Sequence, residues 1–133
     1  MKRRITELLI PAAAVAAVAC GNDGGNQQVC TDLFAYITTI AVDSAGQPVP
    51  GPFTVRDSVQ RTGAVFTIAG VGLDTPGLVT VFSDTQLDAV RQSGDAVTMT
   101  GSGSGKSFGA VFSFGSDGCH VRRIAGPDTV VAH

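Results

Sequence analysis

Phe108, Ala110, Phe112 and Phe114 recur at every second position of a run whose other members are Ser107, Gly109, Val111 and Ser113. A period of two with bulky apolar residues on one side and mostly small or polar residues on the other marks a strand with one buried face. The preceding stretch repeats the pattern, with Val97 and Met99 inward and Thr98 and Thr100 outward. The glycine-rich segment Gly101–Ser107 joins the two as a flexible hairpin loop with Lys106 solvated, and a third strand is expected to open with Cys119. Much of the apolar area available for burial is concentrated between Asp95 and Ile124.

The rest of the chain reads as further short strands. Val29–Val42 is long and β-prone, with Phe34, Tyr36, Ile40 and Val42 on one face and Leu33, Ala35 and Ile37 on the other. Pro48-Val49-Pro50-Gly51-Pro52 cannot donate a ladder of hydrogen bonds and belongs at a sheet edge or in a connection. Strands are expected at Phe53–Arg56, Ala64–Ala69 and Leu78–Phe82, the last central because it is apolar throughout. Ser83 and Gln86 have the spacing of a capping box, opening one short helical turn through Leu87 and Val90 that Gly94 stops. About seven strands separated by Gly, Pro and Asp turns, with scarcely any helix, indicate an all-β sandwich.

The N-terminus carries a different message. Met1-Lys2-Arg3-Arg4 is a basic head, Leu8–Ala19 is uncharged and apolar, and small residues lead into Cys20. That is the layout of a secretory signal peptide, and the run is too short to span a bilayer. Ala17-Val18-Ala19-Cys20 also resembles the lipobox of bacterial lipoproteins, cut before a Cys that becomes diacylated. The division expected is therefore a leader at 1–19, a polar, glycine-rich tether at 20–28 and a folded domain at 29–133. The competing reading is an ordinary signal peptide with an incidental Cys.

Cysteine arithmetic follows from the lipid. If Cys20 is acylated, Cys30 and Cys119 remain as a pair, and an exported protein sits where disulfides persist. A metal or a reactive thiol is the alternative, with neither a third Cys nor a His at ligand spacing to support it. Loss of the leader removes Lys2, Arg3, Arg4 and Glu7, so the formal charge moves from −2 to −4 and every remaining acid is Asp. A mildly acidic chain with no basic stripe argues against nucleic acid and against charge-driven binding of anionic headgroups.

Val42-Asp43-Ser44-Ala45-Gly46-Gln47-Pro48-Val49-Pro50-Gly51, followed by Thr54-Val55, resembles the opening of carboxypeptidase regulatory-like domains. Gly77-Leu78-Val79-Thr80-Val81 is similar to that family's glycine-then-strand segment. Gly118-Cys119-His120-Val121 with Gly126-Pro127-Asp128-Thr129-Val130 is similar to exported bacterial members. The resemblance implies a transthyretin-like, Ig-like sandwich without catalytic apparatus of its own; the zinc-hydrolase domain that accompanies it in carboxypeptidases has no counterpart here.

Candidate chemistry is sparse. Gly105-Lys106-Ser107 lacks the glycine and the following helix that a phosphate loop requires, so no nucleotide is expected. Ser116, Asp117 and His120 lie close in sequence, but a nucleophile and base must meet in space beside an oxyanion site, and His120 is expected to point outward. Asp84, Asp88 and Asp95 surround the helical turn and a weak calcium site among them is conceivable, with capping and solvation as the alternative. No catalytic residue, metal or cofactor is expected. The expectation is a non-catalytic module anchored through Cys20 outside the cytoplasm, at the outer membrane where the source has one. It would serve a structural role or bind a protein in the cell envelope; a small-ligand or carbohydrate surface is the alternative.

Overall fold

The computed structural model describes residues 30–69 and 75–133; the expected leader, Cys20 and the tether lie outside the described residues. Eight strands follow one another: β1 (Tyr36–Val42), β2 (Thr54–Val59), β3 (Val65–Ala69), β4 (Leu78–Ser83), β5 (Asp95–Gly103), β6 (Lys106–Ser116), β7 (Val121–Ala125) and β8 (Thr129–Val131). One 3-10 turn, Asp84–Ala89, lies between β4 and β5. The strands form a three-stranded sheet, β4-β1-β8, and a five-stranded sheet, β3-β2-β5-β6-β7. This is an all-β sandwich, with eight described strands rather than about seven.

The β5–β6 pair is its thickest part. Val97 stands opposite Phe112 and Met99 opposite Ala110, so the two alternating patterns point the same way. Val97, Met99, Phe108, Phe112 and Phe114 are all buried. Phe82 of β4 crosses from the other sheet to stack on Phe114, ring centroids 4.4 Å apart, and Phe112 stacks beside it at 5.3 Å. The expected flexible loop between β5 and β6 is instead a tight two-residue turn. The ladder continues to Gly103 opposite Lys106, and Ser104 and Gly105 both have positive φ (52° and 71°), the geometry that matches strand twist in a hairpin. Ser104 Oγ donates to Pro50 O at 2.6 Å and ties the turn to the proline-rich connection.

The small sheet departs more from expectation. β1 begins only at Tyr36; Thr39 and Ala41 are buried and Ile37 packs against the core, while Phe34 and Tyr36 are exposed. β4 is an edge strand, not the centre; β1 is central, antiparallel to β4 and parallel to β8. The apolar run of β4 reflects burial from Val79 to Ser83, which an edge strand attains when neighbouring elements cover it. β8 leads into a C-terminal seam. Ala132 N donates to Val42 O at 2.7 Å, and His133 exchanges both backbone bonds with Ser107 of β6, at 2.9 and 3.0 Å. The last residues thus stitch the small sheet to the large one.

Candidate functional site

Ser83 closes β4 and sets up the first polar cluster. Its backbone N and its Oγ both donate to Gln86 Oε1, at 3.1 and 2.9 Å, which fixes the 3-10 turn as the capping spacing implies. The turn ends at Ala89, with Val90 already extended, before Gly94. Asp84, its first residue, is thereby aimed at the start of β7. Asp84 Oδ1 accepts from Val121 N at 2.8 Å; Oδ2 accepts from Ala35 N at 2.8 Å and from His120 Nδ1 at 2.7 Å. Burial disfavours the charge, but the bonds from Ala35 N, His120 and Val121 N outweigh it and hold the Asp84 carboxyl below its ordinary value.

The charged Asp84 has no proton to give, so His120 Nδ1 is the donor. His120 Nε2 lies 2.9 Å from Thr31 Oγ1. In the neutral ring Nε2 accepts from the Thr31 hydroxyl, and in the imidazolium the direction reverses. Beside this line of groups, Cys30 and Cys119 form a disulfide with their Cα atoms 5.2 Å apart. The residue before Thr31 and the residue before His120 are thus covalently joined. The expected pairing of these two cysteines is present, although β7 starts at Val121 rather than at Cys119.

His120 is therefore half-buried and bonded on both ring nitrogens, not directed freely outward. Ser116 is the buried end of β6, paired with Val121, and no bond joins it to His120. Asp117 turns the chain, its Oδ1 accepting from His120 N at 2.7 Å and Cys119 N at 2.8 Å, which holds its carboxyl below the ordinary value. The order Asp84–His120–Thr31 has the sequence of contacts of an acyl-transfer triad. The neighbouring amides of Ala35, Cys119, His120 and Val121 all donate to Asp84 or Asp117, so none of these four is free to hold an oxyanion. What the arrangement does chemically is clamp three segments at one pole of the sandwich.

The other two aspartates of the suggested calcium set face elsewhere. Asp95 is buried and accepts from Arg61 (Nε to Oδ1 at 2.8 Å, Nη2 to Oδ2 at 3.0 Å) and from Arg91 (Nε to Oδ1 at 3.0 Å, N to Oδ2 at 2.9 Å). The Arg61 guanidinium is the main reason its carboxyl lies far below the ordinary range. Asp88 is exposed at an open groove of about 450 Å³ between β3 and the 3-10 turn, lined also by Arg61, Phe66, Thr85 and Gln86. Among the described residues, no three His, Cys, Asp or Glu side chains converge as metal ligands.

Asp57 is a polar group the sequence reading passed over. It occupies an inward position of β2 between Val55 and Val59, fully buried, and neither carboxylate oxygen has a hydrogen-bond partner among the described residues. Burial pushes its carboxyl up to about 7. The signal was present as an acid in step with two buried valines. Thr31 carried no comparable signal, since its partner lies 89 residues away. Comparison with protein-family models, with curated proteins and with solved structures finds no match.

Proposed function

We propose that the chain is a non-catalytic β-sandwich module held outside the cytoplasm by lipid on Cys20, with a structural or protein-binding role in a bacterial cell envelope. One observation carries the reading. The Cys30–Cys119 disulfide uses two of the three cysteines and leaves over Cys20, the one that follows the lipobox-like Ala17-Val18-Ala19. A stable bridge also suits an oxidising compartment. The clamp supports the non-catalytic reading, since the amides of Ala35, Cys119, His120 and Val121 already donate to Asp84 or Asp117. The similarity to carboxypeptidase regulatory-like domains belongs to the same proposal and is supported by the sandwich architecture and the quoted segments alone.

The test is the intact mass of protein extracted from membranes. A chain beginning at residue 20 with diacylglyceryl on its thiol is expected; an unmodified chain starting elsewhere removes the anchor. A second reading, a small-ligand surface, is favoured by the groove beside Phe66 and Gln86. Its ligand would have to suit an open site with mixed polar and apolar walls, and the chain has no Trp to offer a sugar a stacking platform. Amide chemical shifts of Phe66 and Gln86 that stay fixed through a mono- and oligosaccharide series would dispose of a carbohydrate there.

A further inference from the structure

Leu33, Phe34 and Tyr36 are 77%, 50% and 56% exposed, three large apolar side chains within four consecutive residues. Among the described residues the other exposed large apolar ones, Val65, Val111, Ile124 and Val131, each stand on a different strand. The Phe34 and Tyr36 rings touch, centroids 4.9 Å apart. Their exposure is enforced. On one side Cys30 is bonded to Cys119 and Thr31 to His120; on the other Ala35 N is held by Asp84. These fixed points hold the stretch that carries Leu33 and Phe34, and Tyr36, just beyond Ala35, is held in register opposite Ser83 of β4.

We infer that Leu33, Phe34 and Tyr36 form a docking patch that inserts into the interfacial layer of the phospholipid bilayer to which Cys20 is anchored. The inference rests on the lipid-anchor reading. Cys30 lies ten positions after Cys20, a reach of at most roughly 35 Å even if fully extended. That is comparable to the width of a domain with a radius of gyration of about 13 Å. The tether joins the domain at the pole carrying Cys30, and the patch begins three residues beyond it. Tyr with Phe and Leu is the composition that settles at headgroup level, an amphipathic ring beside apolar wedges. No Lys or Arg occurs between residues 5 and 55, so the segment that carries the patch offers apolar side chains and no cation of its own.

Tyr36 is the single tyrosine of a chain without tryptophan, so its emission reports on the patch alone. The full chain, recovered from membranes in the form the cell leaves it, is placed in phosphatidylcholine vesicles with or without bromine near the top of the acyl chains. Bromine should quench Tyr36, and acrylamide access should fall about twofold against the same protein in short-chain detergent. The double variant Leu33→Ser with Phe34→Ser, checked by circular dichroism and an intact disulfide, should lose both effects while keeping its mass at residue 20. An acylated protein whose Tyr36 ignores bromine and stays open to acrylamide overturns the docking and leaves the anchor standing. An unacylated chain overturns the anchor and the docking with it. Tyr36 shielded equally in detergent assigns the patch to a protein surface, the residues before Cys30 or a second copy, and overturns the bilayer.

Discussion

Asp84 Oδ2 lies 2.7 Å from His120 Nδ1, and the same oxygen accepts from Ala35 N. Through this contact one carboxylate holds the entry to β7 against the segment that precedes β1, at the pole where the disulfide also sits. Replacing Asp84 by Ala leaves two backbone amides and an imidazole without their acceptor. A loss of roughly 2–3 kcal/mol in denaturant unfolding is expected, since bonds to a charged, mostly buried group are among the stronger ones. The folded carboxyl lies below its unfolded value, so this stabilisation is present above about pH 4 and is lost as pH falls through the folded pKa. The Asp84→Ala protein should accordingly show a shallower acid limb in stability against pH.

Asp57 should behave in the opposite sense. Its folded pKa, about 7, is above the unfolded value, so the native state binds the extra proton. Stability contributed by the protonated form is complete below about pH 4 and declines as pH rises towards the folded pKa. Asp57→Asn, neutral at every pH, should leave stability at pH 4 little changed and raise it by roughly 2–4 kcal/mol at pH 8. Thermal unfolding of both proteins across that range measures it; a gain of the same size at pH 4 would contradict the titration.

Phe112 tests the core. It is 1% exposed and stacked on Phe114, so Phe112→Ala should cost about 3–5 kcal/mol. Its ring also lies against Gly126, which has φ +135°, and a Cβ at Gly126 would overlap the ring. Gly126→Ala should therefore destabilise by more than the ordinary surface change, through both strain and displacement of Phe112. Urea midpoints of the two variants, compared with an exposed control such as Val111→Ala, check the assignment.

The disulfide closes a loop with a sequence separation of 89. In the chain-entropy picture such a link is worth about 4–5 kcal/mol. Thiol titration of the denatured, unreduced domain should find neither Cys30 nor Cys119 reactive, and reduction should lower the unfolding midpoint accordingly. Two free thiols on these residues would refute the bridge.

The large sheet was legible because its information is local. Val97, Met99, Phe112 and Phe114 carry their inward direction in the period-two pattern, and no distant residue is needed to read it. Ser83 and Gln86 are three apart and find one another within a single turn. The cysteine pair was an expectation resting on the premise that Cys20 carries lipid, and the bridge itself is seen only in the fold. The tight turn at Ser104-Gly105 was not, because Gly-Ser repeats look floppy until the register of both strands forces two positive φ values. β4 gave the wrong position for a related reason: apolarity records burial, and burial at an edge looks like burial at the centre.

By itself the sequence determined that the chain pairs strands and which faces of β5 and β6 turn inward. Tertiary structure alone decided that β8 lies parallel to β1, that His120 joins Thr31 to Asp84, and that Leu33, Phe34 and Tyr36 are left outside the core. Strand periodicity acts between near neighbours and is written into composition. A carboxylate's choice of partners depends on which chain ends the folded sheets bring within 3 Å, and no local pattern encodes that distance.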